Sequence, residues 1–200
     1  MITALKTCKT EQSSLTLEDF LRLPETEPAG EFINGKIESK SMPQGEHSRI
    51  QAKLCTVINQ ITEPQKIACA FSELRCTFGG RSLVPDVAVF QWSRIPLTEK
   101  GRIATRFLTY PDWVIEILSP EQSQTKVLDK LLFCSELGTE LGWLIDPEEE
   151  TVLVVFPEQK VKLLREDNLL PVLENIDLKL TVNDVFSWLS FEPKTTELRT

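Results

Sequence analysis

The sequence predicts an α+β fold, a mixed β-sheet flanked by helices, and three observations carry this. Short β-prone runs recur along the chain. One of them, Trp113-Val114-Ile115-Glu116-Ile117-Leu118, is apolar on both faces apart from Glu116, which marks a central strand. Between such runs lie segments with helical signals. Ile50, Leu54, Val57, Ile58 and Ile61 recur at helical spacing. Finally, Asn34-Gly35 sits between two short β-prone runs, the strongest local signal for a tight hairpin.

Taken in order, residues 1–14 are polar and expected to be flexible, as are residues 192–200. A short helix begins near Thr16, with Glu18 and Asp19 in its first turn. Residues 31–39 form the Asn-Gly hairpin. Residues 46–61 form the helix with the apolar stripe, closed by Pro64, and Arg49, Gln51 and Lys53 lie off that stripe. Two strands are expected at 67–78 and 84–92, joined by Gly79-Gly80. The segment 94–110 is irregular. After the strand at 113–118, Ser119-Pro120-Glu121-Gln122 reads as a helix start, with Ser123 as the alternative cap, and the helix stops near Gly138. Strands follow at 142–147, 151–156 and 161–164, with Glu148-Glu149-Glu150 as a solvated turn. Residues 180–186 start a last short helix. Trp92, Trp113, Trp143 and Trp188 read as core. The 200 residues form one domain with no repeat and no linker.

The totals exclude several classes. Net charge of -8 argues against a broad nucleic-acid-coating surface, though a local basic cleft remains compatible. No run approaches the roughly 20 apolar residues of a membrane helix. The first residues lack the apolar stretch of a secretory signal, so a cytoplasmic protein is the expectation. Five cysteines, with no Cys-x-x-Cys pair, fit reduced thiols rather than a disulfide frame or a zinc site. No Gly-x-Ser-x-Gly elbow, phosphate loop or dinucleotide fingerprint is present.

The chemistry concentrates on two acids. Asp86, after Pro85, opens the apolar run Val87-Ala88-Val89-Phe90, and Glu116 interrupts the central strand. A carboxylate buried against apolar residues needs compensation. Two that face each other repel unless a cation lies between them. Oxygen-only ligation suits Mg²⁺ or Mn²⁺, and the backbone carbonyl of Ile117 is a natural third ligand. Phosphodiester hydrolysis needs a metal, an activated water and a cation for the developing charge. Lys126 and Lys130, four apart on the next helix, are candidates for that cation. Arg94, Lys100, Arg102 and Arg106 could grip phosphates, although solvated loop charges are the simpler reading.

The ordered set Val84-Pro85-Asp86, then Pro111-Asp112-Trp113-Val114-Ile115-Glu116-Ile117-Leu118-Ser119-Pro120, then Asp129-Lys130-Leu131-Leu132-Phe133 with Gly138 and Gly142-Trp143-Leu144-Ile145-Asp146-Pro147 resembles the Uma-type restriction endonuclease family. That family is abundant in cyanobacteria and belongs to the PD-(D/E)xK nuclease superfamily. Glu31-Phe32-Ile33-Asn34-Gly35-Lys36-Ile37 and His47 match its N-terminal pattern. The resemblance covers about residues 15–187.

It implies a restriction-endonuclease-like fold and a metal-dependent endodeoxyribonuclease, with Asp86 and Glu116 as metal ligands and Lys130 as the active-site lysine. Glu31, His47 and Lys126 are candidates for supporting positions around them. DNA is the implied partner, and a homodimer suits a double-strand cutter. The chain departs from the superfamily pattern at Leu118, where a lysine is expected two residues after the acid. The family moves this lysine to the following helix, which fits Lys130. Cys134 replaces an aromatic residue found in many relatives. The competing expectation is a non-catalytic nucleic-acid-binding or interaction module on the same scaffold.

Overall fold

The computed structural model describes residues 15–120 and 122–191. The expected flexible ends, residues 1–14 and 192–200, lie outside the described residues.

Helix α1 (Leu17–Phe20) is held by a capping box between Thr16 and Asp19. Strands β1 (Gly30–Ile33) and β2 (Lys36–Ser39) form the expected hairpin. Asn34 and Gly35 both take positive φ, 50° and 78°, as the primed turns of two-residue hairpins require. Helix α2 (Gly45–Thr62) buries Ile50, Leu54 and Ile58 along its apolar stripe.

The next segment departs from the expectation of two strands. It forms four: β3 (Ala68–Ser72), β4 (Cys76–Phe78), β5 (Arg81–Leu83) and β6 (Val87–Gln91). Glu73 takes φ 49°, a left-handed turn that ends β3 and sends the chain out of its sheet. Pro85 offers no N–H to a ladder and stands in the gap between β5 and β6. The chain thus leaves one sheet after β3, turns back at Gly79-Gly80 in another, and re-enters the first at β6.

Two sheets result. The smaller has the order β2-β1-β5-β4. The larger is completed by β7 (Trp113–Ile117), β8 (Leu141–Asp146), β9 (Thr151–Val155) and β10 (Val161–Arg165), in the order β10-β9-β8-β7-β6-β3. It is mixed: β7 and β8 run parallel and the other pairs antiparallel. The parallel pair is connected through helix α3 (Gln124–Glu136), the crossover that parallel neighbours need.

Alternation along the strands sorts the core into two layers. Val87, Val89, Trp113, Ile115 and Ile117 face α2. They also face helix α4 (Val182–Ser187), which has a Thr181–Asp184 capping box. Ala88, Phe90, Val114 and Leu118 face the α3 side, with Val127, Leu131 and Cys134. Trp113 and Trp143 are fully buried with rings 4.5 Å apart. Trp188 packs at the core edge. Trp92 does not join the core: it is exposed in a single turn after β6.

The α3 cap is Ser123, not Ser119. The Ser119 N–H instead donates to the Gln122 side chain at 3.1 Å, so the local Ser-Gln pair forms but closes the loop rather than opening the helix. Among the described residues, no helix is long and apolar enough to cross a membrane.

Candidate functional site at the seam of the two sheets

Glu116 is the fourth residue of β7 and lies on the same face as Val114 and Leu118. β6 pairs with β7 so that Val87 opposes Ile115. Continuing that register by one step sets Asp86 across from Glu116. Side chains directly opposite on neighbouring strands share one face. Asp86 stands where the ladder would continue, and its Oδ2 accepts the Ile117 N–H at 2.7 Å.

Six further polar side chains converge on this pair. His47, in the first turn of α2, places Nε2 3.0 Å from Asp86 Oδ2. Lys40, just after β2, donates from Nζ to Asp86 Oδ1 at 2.7 Å, to the Val84 carbonyl at 2.8 Å and to Glu73 at 2.9 and 3.1 Å. Gln51 donates to the Asp86 carbonyl at 2.8 Å and to Glu73 at 3.0 Å. On the other side, Lys130 of α3 brings Nζ to 2.9 Å from Glu116 Oε1 and to 3.1 Å from both oxygens of Glu31. Glu31 Oε1 also accepts the Val84 N–H at 2.7 Å.

Asp86, Glu116, Lys130, Glu31 and His47, all singled out in the sequence, therefore meet at one place, and all are buried. Lys126 does not join them. It is largely exposed and, among the described residues, reaches Glu38, at 3.5 Å, not the acids of the seam. Arg94 is not free for phosphates either. It is committed to Asp112, Thr109 and the Tyr110 carbonyl, while Lys100, Arg102 and Arg106 are exposed.

Sequence reasoning missed Lys40, Glu73 and Gln51. Gln51 lies off the apolar stripe of α2, on a flank that faces the seam. The only signal for Lys40 and Glu73 was a charged residue at a strand end, too common to mark a site.

The electrostatics are uneven. Burial alone would raise the Asp86 carboxyl. The His47 contact and the Lys40 ammonium outweigh it and hold the group well below the usual carboxylate range. Glu116 goes the other way. Burial pushes it up to about 8, with Lys130 opposing and Asp86 adding to the rise. Burial works against the charge on Lys130, but Glu116 and Glu31 outweigh it and keep the ammonium charged. Lys40 is likewise raised: Asp86, Glu116 and Glu73 overcome its desolvation.

Three buried carboxylates, Asp86, Glu116 and Glu31, thus share two ammonium groups, Lys40 and Lys130, with Glu73 as a fourth acid at the solvent edge. The surplus negative charge falls on Glu116. Its buried Oε1 receives no well-directed hydrogen bond. The Lys130 ammonium, 2.9 Å away, compensates it in charge, and a proton or a metal ion would compensate the surplus that three carboxylates leave over two ammonium groups. Among the described residues, no three or more His, Cys, Asp or Glu side chains are grouped to hold a metal ion. A divalent ion here would draw on two carboxylates, a backbone carbonyl such as that of Ile117, and water, a donor set that suits Mg²⁺ or Mn²⁺. A cleft of about 980 Å³ opens beside the pair, lined among others by His47, Leu118, Ser119 and Asp146. Its rim carries Glu46, Glu148 and Glu149.

A mixed sheet between helices, with an Asp–Glu pair at the ends of two adjacent strands and a lysine from the next helix, defines the restriction-endonuclease-like class of fold. The chain belongs to the Uma2 family, described as "Putative restriction endonuclease", which it matches over residues 17–183. It is also similar to the crystal structure of "a putative nuclease belonging to DUF820 from Anabaena variabilis ATCC 29413", at 57% sequence identity and a TM-score of 0.86, covering 88% of this chain and 99% of that one. No curated protein matches the chain.

Proposed function

We propose that this protein is a metal-dependent endodeoxyribonuclease that hydrolyses DNA phosphodiester bonds. The observation that carries the reading is Glu116: a buried acid set opposite Asp86, with the Lys130 ammonium 2.9 Å from its Oε1. The family and the 57%-identical relative, by the descriptions they carry, support it.

Asp86, Glu116 and the Ile117 carbonyl would hold Mg²⁺ or Mn²⁺. When bound, such an ion supplies neutralisation of the phosphate and a more acidic water. Lys130, kept charged between Glu116 and Glu31, can direct an N–H toward an attacking water or toward charge developing on the phosphoryl oxygens. Glu31 keeps Lys130 in place, and His47 with the Ile117 N–H fixes the Asp86 carboxylate. Cutting both strands calls for two such centres, so the working form is a homodimer. A DNA substrate makes the cytoplasm its place of action.

The test is nicking and linearisation of supercoiled plasmid with Mg²⁺, with Mn²⁺ and with EDTA. Wild type should cut only with the divalent ions, and Glu116→Gln should lose cutting while keeping its circular dichroism spectrum. Undiminished cutting by Glu116→Gln sinks the reading. An RNA substrate run in parallel tests the preference for DNA.

A second reading, a non-catalytic interaction module, is favoured by one observation. Asp86 already accepts from Lys40 and from the Ile117 N–H, with His47 alongside, so the polar cluster can serve as a self-neutralised core. Nucleic-acid binding that is insensitive to metal, with no cutting under any condition, is the outcome that selects it.

A further inference from the structure

Around the Lys40 ammonium lie four oxygens from three places in the chain: Asp86 Oδ1 at 2.7 Å, the Val84 carbonyl at 2.8 Å, and Glu73 Oε2 and Oε1 at 2.9 and 3.1 Å. Two carboxylates, one of them straddling the cation with both oxygens, and a backbone carbonyl are the donor set of a hard divalent ion. An ammonium has three N–H donors, fewer than the oxygens present.

The cage is braced from outside. Gln51 donates both to Glu73 and to the Asp86 carbonyl, and the Glu73 N–H donates to the Asp86 carbonyl at 3.3 Å. Lys40 is only 11% exposed in its side chain and Asp86 only 3%, whereas Glu73 is 42% exposed. The cage therefore opens to solvent on the Glu73 side alone.

We propose that this oxygen cage is a second cation site of the protein, filled by its own Lys40 ammonium, so that the centre recruits one divalent ion rather than two. Lys40 provides the fixed positive charge next to Asp86 that a second ion would otherwise bring. The site shares Asp86 with the Asp86–Glu116 position but is distinguished from it by Glu73 and the Val84 carbonyl, and no Glu116 oxygen contributes to the cage. The inference extends the reading above but is decided by a different measurement.

The experiment counts Mn²⁺ bound per chain, from the electron paramagnetic resonance signal of free Mn²⁺, for wild type, Lys40→Met, Lys40→Arg, Lys40→Met/Glu73→Gln and Glu116→Gln. Lys40→Met is expected to bind one more ion per chain than wild type. Lys40→Arg, which keeps the charge, should bind no extra ion, and the double variant should return to the wild-type count. Lys40→Met binding no more ions than wild type overturns the proposal. So does an extra ion that survives Glu73→Gln. Should Lys40→Met not fold without metal, Mn²⁺ must restore its circular dichroism spectrum, and failure to do so also overturns the proposal. The metal site of the proposed nuclease is read separately, as the wild-type ion lost in Glu116→Gln.

Discussion

Glu31 and Lys130, 99 positions apart, meet with both Glu31 oxygens 3.1 Å from the Lys130 nitrogen. This buried pair ties the small sheet to α3 and holds the lysine against Glu116. The same Glu31 carboxylate also satisfies the Val84 N–H at the start of the seam.

Glu31→Ala removes an acid from a buried pair and leaves an ammonium and a backbone donor without it. A loss of about 3–5 kcal/mol in urea unfolding is expected. Glu31→Gln should lose less, because the amide oxygen can still accept from Val84. Its cutting rate should fall about 10–100-fold through misplacement of Lys130, with kcat affected more than KM. An unchanged kcat in Glu31→Gln removes the positioning role.

The Asp86 carboxylate also has a structural role. Replacing it with alanine leaves the Ile117 N–H without its acceptor and takes from the Lys40 ammonium the more buried of its two carboxylate partners. Thermal unfolding of Asp86→Ala should show a clear destabilisation, of the order of 3–5 kcal/mol expected for breaking a buried pair. Asp86→Asn keeps an acceptor and is the cleaner variant for cutting assays. Equal stability of Asp86→Ala and wild type contradicts this account of the seam.

The pH dependence of stability follows from the two acids in opposite senses. Glu116 rises from an ordinary 4.5 to about 8 on folding. The native state therefore holds a proton that the unfolded chain releases. That contribution is fully present below about 4.5 and is lost as pH rises through about 8. Asp86 is depressed from its ordinary 3.8, so its contribution is present above that value and is lost as pH falls through its folded value. Urea midpoints of the metal-free protein should therefore decline from mildly acidic pH toward pH about 8. Glu116→Gln should flatten that decline. A decline of equal size in Glu116→Gln assigns it to another group.

Lys126 is the negative control. Its side chain is 73% exposed and its ion pair with Glu38 is long, at 3.5 Å. Lys126→Ala should change stability by less than about 0.5 kcal/mol and leave cutting within twofold, on the order of assay error. A tenfold loss, of order 1.4 kcal/mol, brings Lys126 back to the site.

The thiols give a check on packing. Burial raises Cys76 to about 12, raises Cys134 still further, and raises Cys55 to about 11. Native protein treated with iodoacetamide near neutral pH should leave Cys76 and Cys134 unmodified by peptide mass mapping, since the thiolate is the reacting form. Both should label after denaturation. Rapid native labelling of either shows that the α3 layer opens.

Legible in the amino-acid order alone were the α2 stripe, the Asn34-Gly35 hairpin, the buried β7 strand and the two acids set in apolar runs. Each is written in neighbouring residues, through periodicity, through a turn that needs positive φ, or through a charge where the pattern calls for an apolar side chain. Of the residues around those acids, Lys130, Glu31 and His47 were singled out in the sequence, whereas Lys40, Glu73 and Gln51 were not. Lys40 follows one strand, Glu73 ends another and Gln51 lies on the flank of a helix, and each is an ordinary polar residue in its own segment. Nor could the run 67–78 show that it divides between two sheets, since β3 and β4 are both short and β-prone. Tertiary structure decided these points, because sheet order brings the strand ends to one seam. There burial removes water, and each carboxylate must find its counter-charge within about 3 Å, the reach of a hydrogen bond.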